Sequence, residues 1–176
     1  MKDYKKSGEK KGSLKIKGNL ILKGDLKIKG NLILKGDLKV EEAIEVSGYI
    51  DCQGYSIEAG GSIKAGGSIK AGGSIKAGGW IESGDSIKAG GWIEAGGWIE
   101  AGDSIEAGRW IKAGGSILSK LFIKCKTTLS AGRYIYAGIK TWGERTYEDM
   151  LIECWKLEKG KIEFGILKEY CERSII

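Results

Sequence analysis

A large aliphatic residue returns every six positions through most of this chain. The series runs Leu14, Leu20, Leu26, Leu32, Leu38, Ile44, Ile50; one extra residue intervenes, and it resumes at Ile57, then by sixes through Ile63 and Ile93 to Leu129 and Ile135. Two positions after each stands a second inward candidate. It is large in the first part (Ile16, Leu22, Ile28, Leu34, Val40, Val46) and small in the second (Ala59, Ala65, Ala71, Ala77). A Lys, Glu or Ile mostly separates the two. Inward, outward, inward is the side-chain alternation of a β-strand. The strand is very short and ends in Gly-Gly, Gly-Asp or Gly-Asn. Glycine at such a corner permits either a positive φ or the close approach of two backbones. A helix is excluded, because a glycine pair in every hexad costs roughly 2 kcal/mol relative to Ala. Short parallel strands with regular corners wind into a β-solenoid, each coil hydrogen-bonded to the next about 4.8 Å along the axis.

Departures from the repeat set the number of hexads per coil. If three hexads close a coil, residues 18 apart stack. The slot before each aliphatic residue then gives three columns: Ser56, Ser74, Trp92, Trp110, Thr128; Ser62, Trp80, Trp98, Ser116, Tyr134; and Ser68, Ser86, Ser104, Phe122. Both tryptophan pairs fall 18 apart, as do Asp85 and Asp103. The outward slot within the strand gives Glu58, Lys76, Glu94, Lys112, with alternating charge. Opposite charges on neighbouring strands are worth about 0.2–1 kcal/mol. The predicted fold is therefore all-β: a parallel, triangular β-solenoid with about 18 residues per coil and about seven coils over residues 13–140, a thin aliphatic interior and no pocket.

Residues 1–12, "MKDYKKSGEKKG", are polar and aperiodic and read as a flexible Lys-rich tail. Residues 141–176 lose the hexad. "TWGERTYEDM" reads as a loop or short helix, and "LIECWKLE" and "KIEFGILKEYCE" as strands. An open solenoid end exposes unpaired backbone groups, so this segment is expected to cap it.

Composition narrows the chemistry. The 30 glycines among 176 residues come with no Pro, against a collagen-like or Pro-rich chain. There is no His, the commonest general base and metal ligand. Cys52, Cys125, Cys154 and Cys171 form no C-x-x-C pair, so no zinc or dithiol redox site is expected. Cys52 and Cys125 fall in small inward slots, as reduced core thiols do, which suits a cytoplasmic setting. No apolar run approaches a membrane span of ~20 residues. The net charge of +6 is lopsided: residues 1–40 carry +8 and the remainder −2.

The stretch "GNLILKGDLKIKGNLILKGDL" (Gly18–Leu38) resembles the bactofilins, polymer-forming bacterial cytoskeletal proteins, over roughly residues 12–140. The resemblance implies a right-handed triangular β-helix and end-to-end assembly. The left-handed hexapeptide acyltransferases are a second comparison, but their catalytic His has no counterpart and their small-residue position is mostly Gly here.

A stiff, flat-faced prism with no expected active site, cofactor, metal or small-molecule substrate reads as a non-enzymatic interaction protein, an adaptor or a mobile-element-type inhibitor. Its candidate contact residues are Trp80, Trp98, Leu118, Tyr134 and Tyr136 on one face, with Trp92 and Trp110 on the adjacent face. Clustered outward tryptophans mark interfaces. Three covers are open to them: the chain's own residues 141–176, a partner protein or second copy, or stacked bases and sugars. The alternative functions are a bactofilin-like self-assembling scaffold and anion binding, to nucleic acid or an anionic membrane, through Lys5, Lys6, Lys10, Lys11, Lys17 and Lys35.

Overall fold

Each three-residue strand finds its partner one coil on. Ile75 pairs with Ile93, Lys76 with Glu94 and Ala77 with Ala95, all parallel and in register. The computed structural model describes residues 2–4, 8–139 and 146–170. The strands sort into three faces of a prism. Face 1 includes Ile57–Ala59, Ile75–Ala77, Ile93–Ala95 and Ile111–Ala113; face 2 includes Ile63–Ala65, Ile81–Ser83 and Ile99–Ala101; face 3 includes Ile69–Ala71, Ile87–Ala89 and Ile105–Ala107. No α-helix occurs among the described residues.

The prism is taller than expected. Each face is nine strands deep, so the solenoid has about nine coils and not seven. Both extra coils come from segments expected to lie outside it. Lys2–Tyr4 pairs with Leu20–Leu22 and Gly8–Lys11 with Leu26–Lys29, so the described part of the predicted tail is coil. At the other end, Leu151–Cys154 stacks on Ile123–Cys125, Lys156–Phe164 on Thr128–Ala137, and Ile166–Glu169 on Leu151–Cys154. The segment read as a loop or short helix holds, in its described part, a single 3-10 turn, Glu148–Met150. Periodicity missed both ends because a strand needs only backbone pairing. Polar tails and bulged, irregular register satisfy that without a hexad.

The interior is a column of Leu, Ile, Val and Ala, with the first inward residue buried from Leu20 to Ile152. Two inward slots hold serine. Ser83 Oγ donates to the carbonyl of Gly67 at 2.8 Å, and Ser119 Oγ to that of Asp103, so neither buried hydroxyl lacks a partner.

The corners explain the glycines. A Cβ at Gly78 would lie 1.9 Å from the carbonyl oxygen of Gly60, one coil below. Close backbone stacking, not a positive φ, demands the first glycine of each pair there. Gly54 differs: with φ +84° and Tyr55 N–H donating to the Cys52 carbonyl at 3.1 Å, it turns the chain around the one inserted residue. The register survives, with Leu38 opposite Ile57.

Candidate functional site

The serine that opens most hexads has a structural job. Ser62 Oγ accepts a hydrogen bond from Trp80 N–H at 3.1 Å, and Ser74 Oγ one from Trp92 N–H at 3.2 Å, each one coil above. Asn19, Asn31, Asp25 and Asp37 do the same in the first coils. The corner side chain thus caps a backbone donor in the next coil, a bond worth about 1 kcal/mol. This role escaped the sequence reading, although the recurrence of Ser, Asn and Asp in one slot was its signal.

A tryptophan in that slot has no oxygen to offer. Trp98 and Trp110 each stand above another tryptophan and not above a serine. What replaces the hydrogen bond is ring stacking. Trp80 and Trp98 lie with centroids 5.3 Å apart and planes 7° apart; Trp92 and Trp110 lie 4.8 Å and 2° apart. Such pairs are worth about 0.5–1.5 kcal/mol. The exchange is close to neutral for the fold, yet it leaves ring surface outside: Trp98 is 40 % exposed, and Trp80, Trp92 and Trp110 are half-buried.

The 18-residue coil therefore places both pairs as axial neighbours, as predicted. It puts them on edges of the prism, though, because each precedes its strand. Trp92 and Trp98 bracket the single strand Ile93–Ala95. Face 1 is consequently bordered on one edge by Trp80 and Trp98 and on the other by Trp92 and Trp110.

Its middle is the charge ladder. Lys39, Glu58, Lys76, Glu94, Lys112 and Ser130 follow one another on adjacent strands. Lys39 bonds Glu58 at 3.3 Å and Lys112 bonds Glu94 at 3.7 Å. Lys76 stands between two carboxylates that already have partners. On face 2, Lys64 meets Glu82 at 2.9 Å; that hydrogen bond holds the amine above its usual pKa, and its Nζ lies 5.9 Å from the Trp80 ring.

The remaining predicted contacts form a second group. Leu118 and Tyr136 are neighbours on face 2, and Phe164 follows Tyr136. Tyr134 and Tyr136 lie 6.3 Å apart, and Tyr134 is 43 % exposed. Ser116 separates this group from Trp98 along the edge. Phe164 was missed because its segment does not keep the sixfold spacing. The described part of the C-terminal segment stacks axially beyond the tryptophans, so it is not the cover that the sequence left open for them.

Of the predicted basic residues, Lys10, Lys11, Lys17 and Lys35 are exposed. Lys17 is directly opposite Lys35, and like charges so placed repel. Lys5 and Lys6 lie outside the described residues, as does Cys171.

Cys52, Cys125 and Cys154 are buried free thiols. Burial, aided by Asp51 and Asp37, pushes the Cys52 thiol up to about 12. Cys125 is pushed up first by its hydrogen bond to Cys154 and then by burial. A surface groove of about 410 Å³ runs past Tyr49, Asp51, Lys70 and Asp85, and one carboxylate oxygen of Asp51 is buried there without a partner among the described residues. No cluster of three or more metal-ligating side chains occurs among the described residues, and no helix there is long and apolar enough to cross a membrane. Comparison with family models, curated proteins and solved structures finds no match to this chain.

Proposed function

We propose that this chain is a non-enzymatic interaction protein that engages a macromolecular partner through the tryptophan-bordered edges of face 1. One observation carries this reading. At two edges the hexad gives up a structural serine for stacked, outward tryptophans that add nothing to the core. Stiffness supports it further, because a prism locked by inter-coil hydrogen bonds loses little conformational entropy on association. Following the bactofilin resemblance, we take the coil as right-handed.

The test is to replace Trp80, Trp92, Trp98 and Trp110 by Ser, which restores the parent hexad. The variant should keep the wild-type melting midpoint to within a few degrees. Immobilised wild-type protein should retain a macromolecule from an extract of the source cells, and the variant should lose it. Equal retention by both would remove the tryptophans from the contact.

A second reading is a bactofilin-like scaffold. Its support is that the first and last described strands on each face pair on one side only, which leaves edges open to end-to-end addition. Pelleting of filaments by the purified protein, unaffected by the tryptophan changes, would favour it. Anion binding at the Lys17–Lys35 end is the third, supported by the like-charge stacking; salt-sensitive retention on immobilised nucleic acid or anionic vesicles tests it.

A further inference from the structure

We infer that the partner of face 1 is a second copy of this chain, docked antiparallel and face to face. The inference rests on the proposed use of the tryptophan edges and adds to it the identity of the occupant. What selects that occupant is the order of charges up the face.

Two copies related by a two-fold axis bring face 1 against face 1 in only two ways. With the axis along the prism, every coil meets its own counterpart. Lys76 then faces Lys76 of the second copy and Glu94 faces Glu94, so each charged rung of the ladder repels. With the axis across the prism, coil order reverses. If it passes between the Ile75–Ala77 and Ile93–Ala95 strands, Lys76 faces Glu94 of the second copy, Glu58 faces Lys112 and Lys39 faces Ser130. No like charges meet along this run. Moving the axis onto a strand sets Glu94 on Glu94 again. The alternation therefore admits the antiparallel arrangement with the axis between coils and rejects the parallel one.

The edges agree with that placement. An axis across the prism brings each edge against the same edge of the other copy. Trp80 then meets Trp98, whose rings already lie parallel within each chain. On the opposite edge, Trp92 comes over Ser74 and Trp110 over Ser56, a large ring against a small residue in both cases. Each contact occurs twice, as an isologous interface requires. Lys76, flanked in its own ladder by carboxylates bonded elsewhere, gains a carboxylate across the interface.

The size is adequate. Eight coils overlap, about 38 Å at roughly 4.8 Å per strand. A six-residue edge spans roughly 17 Å once its corner is allowed for. The flat area is then about 650 Å² per partner, near the ~800 Å² of a standard interface.

Sedimentation equilibrium of the purified full chain tests the inference. At about 100 μM the mass should be twice the 19.0 kDa chain, and a monomer there overturns the proposal. Two charge variants sharpen the test: Glu58→Lys with Glu94→Lys, and Lys76→Glu with Lys112→Glu. Each alone should be monomeric, while an equimolar mixture should form the heterodimer; homodimers of either variant would overturn the register. If these variants fail to fold, as judged by circular dichroism, Trp98→Ser with Trp110→Ser decides. It restores the hexad and should raise the dimer Kd at least about tenfold; an unchanged Kd sinks the interface. A monomeric wild type whose capture of another macromolecule still depends on the tryptophans would refute the dimer and leave the proposed function standing.

Discussion

The coils before Cys52 and those after it solve the same closure with different parts. Early coils fill both inward slots with large residues, Leu32 with Leu34 and Ile44 with Val46; later coils pair Ile with Ala. Early corners use Lys followed by a glycine that is often at positive φ, as at Gly18 (+113°). Later corners use Gly-Gly, with backbone stacked on backbone. Cys52 sits at the seam, between Leu34 below and Ala71 above, and is intermediate in size. The contrast shows that an 18-residue coil does not need one interior recipe. It needs apolar volume inside and corners that stack. Early corners stack tightly too, with a Cβ at Gly36 lying 2.2 Å from the Gly18 carbonyl carbon, but the later recipe is the one that drops the positive φ and carries the tryptophan edges.

The largest effect should come from attacking that tightness. Gly78→Ala drives a Cβ into the Gly60 carbonyl, 1.9 Å away, and should cost about 4 kcal/mol or more in urea unfolding. Gly12→Ala meets nothing within 4 Å and strains only a φ of +85°, so about 1–2 kcal/mol is expected. Gly12 stands in the first coil of its edge, so equal costs would mean that its φ alone weighs as much as the backbone contact at Gly78.

Next comes the interior. Ile93→Ala, at a fully buried position, should lose about 3 kcal/mol, because rigid coils on both sides prevent collapse into the cavity. Leu14→Ala, half-buried in the first part, should lose less than about 1.5 kcal/mol. A reversed order would mean that the early coils hold the fold together.

The seam makes a pH prediction. The Cys52 thiol has a raised pKa, about 12 against an ordinary 9.0. The folded state therefore holds this proton where the unfolded chain has lost it. The contribution is whole below pH 9.0 and disappears as pH rises toward about 12. Between those limits stability should fall more steeply for wild type than for Cys52→Ala, which carries the later recipe's residue. Parallel curves would exclude the thiol as the cause.

Smaller effects test whether the corner caps are interchangeable. Asn19→Ala and Ser74→Ala each remove an acceptor from the coil above and should cost about 1 kcal/mol apiece. Smallest are the exposed ladder pairs. Breaking Lys27–Glu45 or Lys88–Glu106 should shift stability by less than about 0.5 kcal/mol, and high salt should erase the shift.

Much of the architecture was legible because a solenoid stacks each hexad on an equivalent one. The Trp80–Trp98 and Trp92–Trp110 spacings gave the coil length, and the Glu58–Lys112 column gave the ladder, before any coordinate was needed. The end coils were not legible. Gly8–Lys11 and Lys156–Phe164 pair through backbone atoms, which leave no side-chain period to read. The candidate surface was legible residue by residue but not as a shape. That the two tryptophan pairs border one face followed only from placing each ring at a corner.

By itself, the sequence determined the strand, the coil of three hexads and the vertical order of charges and rings, because identical short-range geometry repeats at a fixed interval. Only the tertiary structure decided that the later Gly-Gly corners need glycine for contact and not for φ, whereas several early corners hold it at positive φ. It also decided that serine serves as a cap, and that the chain continues coiling past both ends of its repeat. Those outcomes depend on which atoms of neighbouring coils meet, and a one-dimensional period carries no such distances.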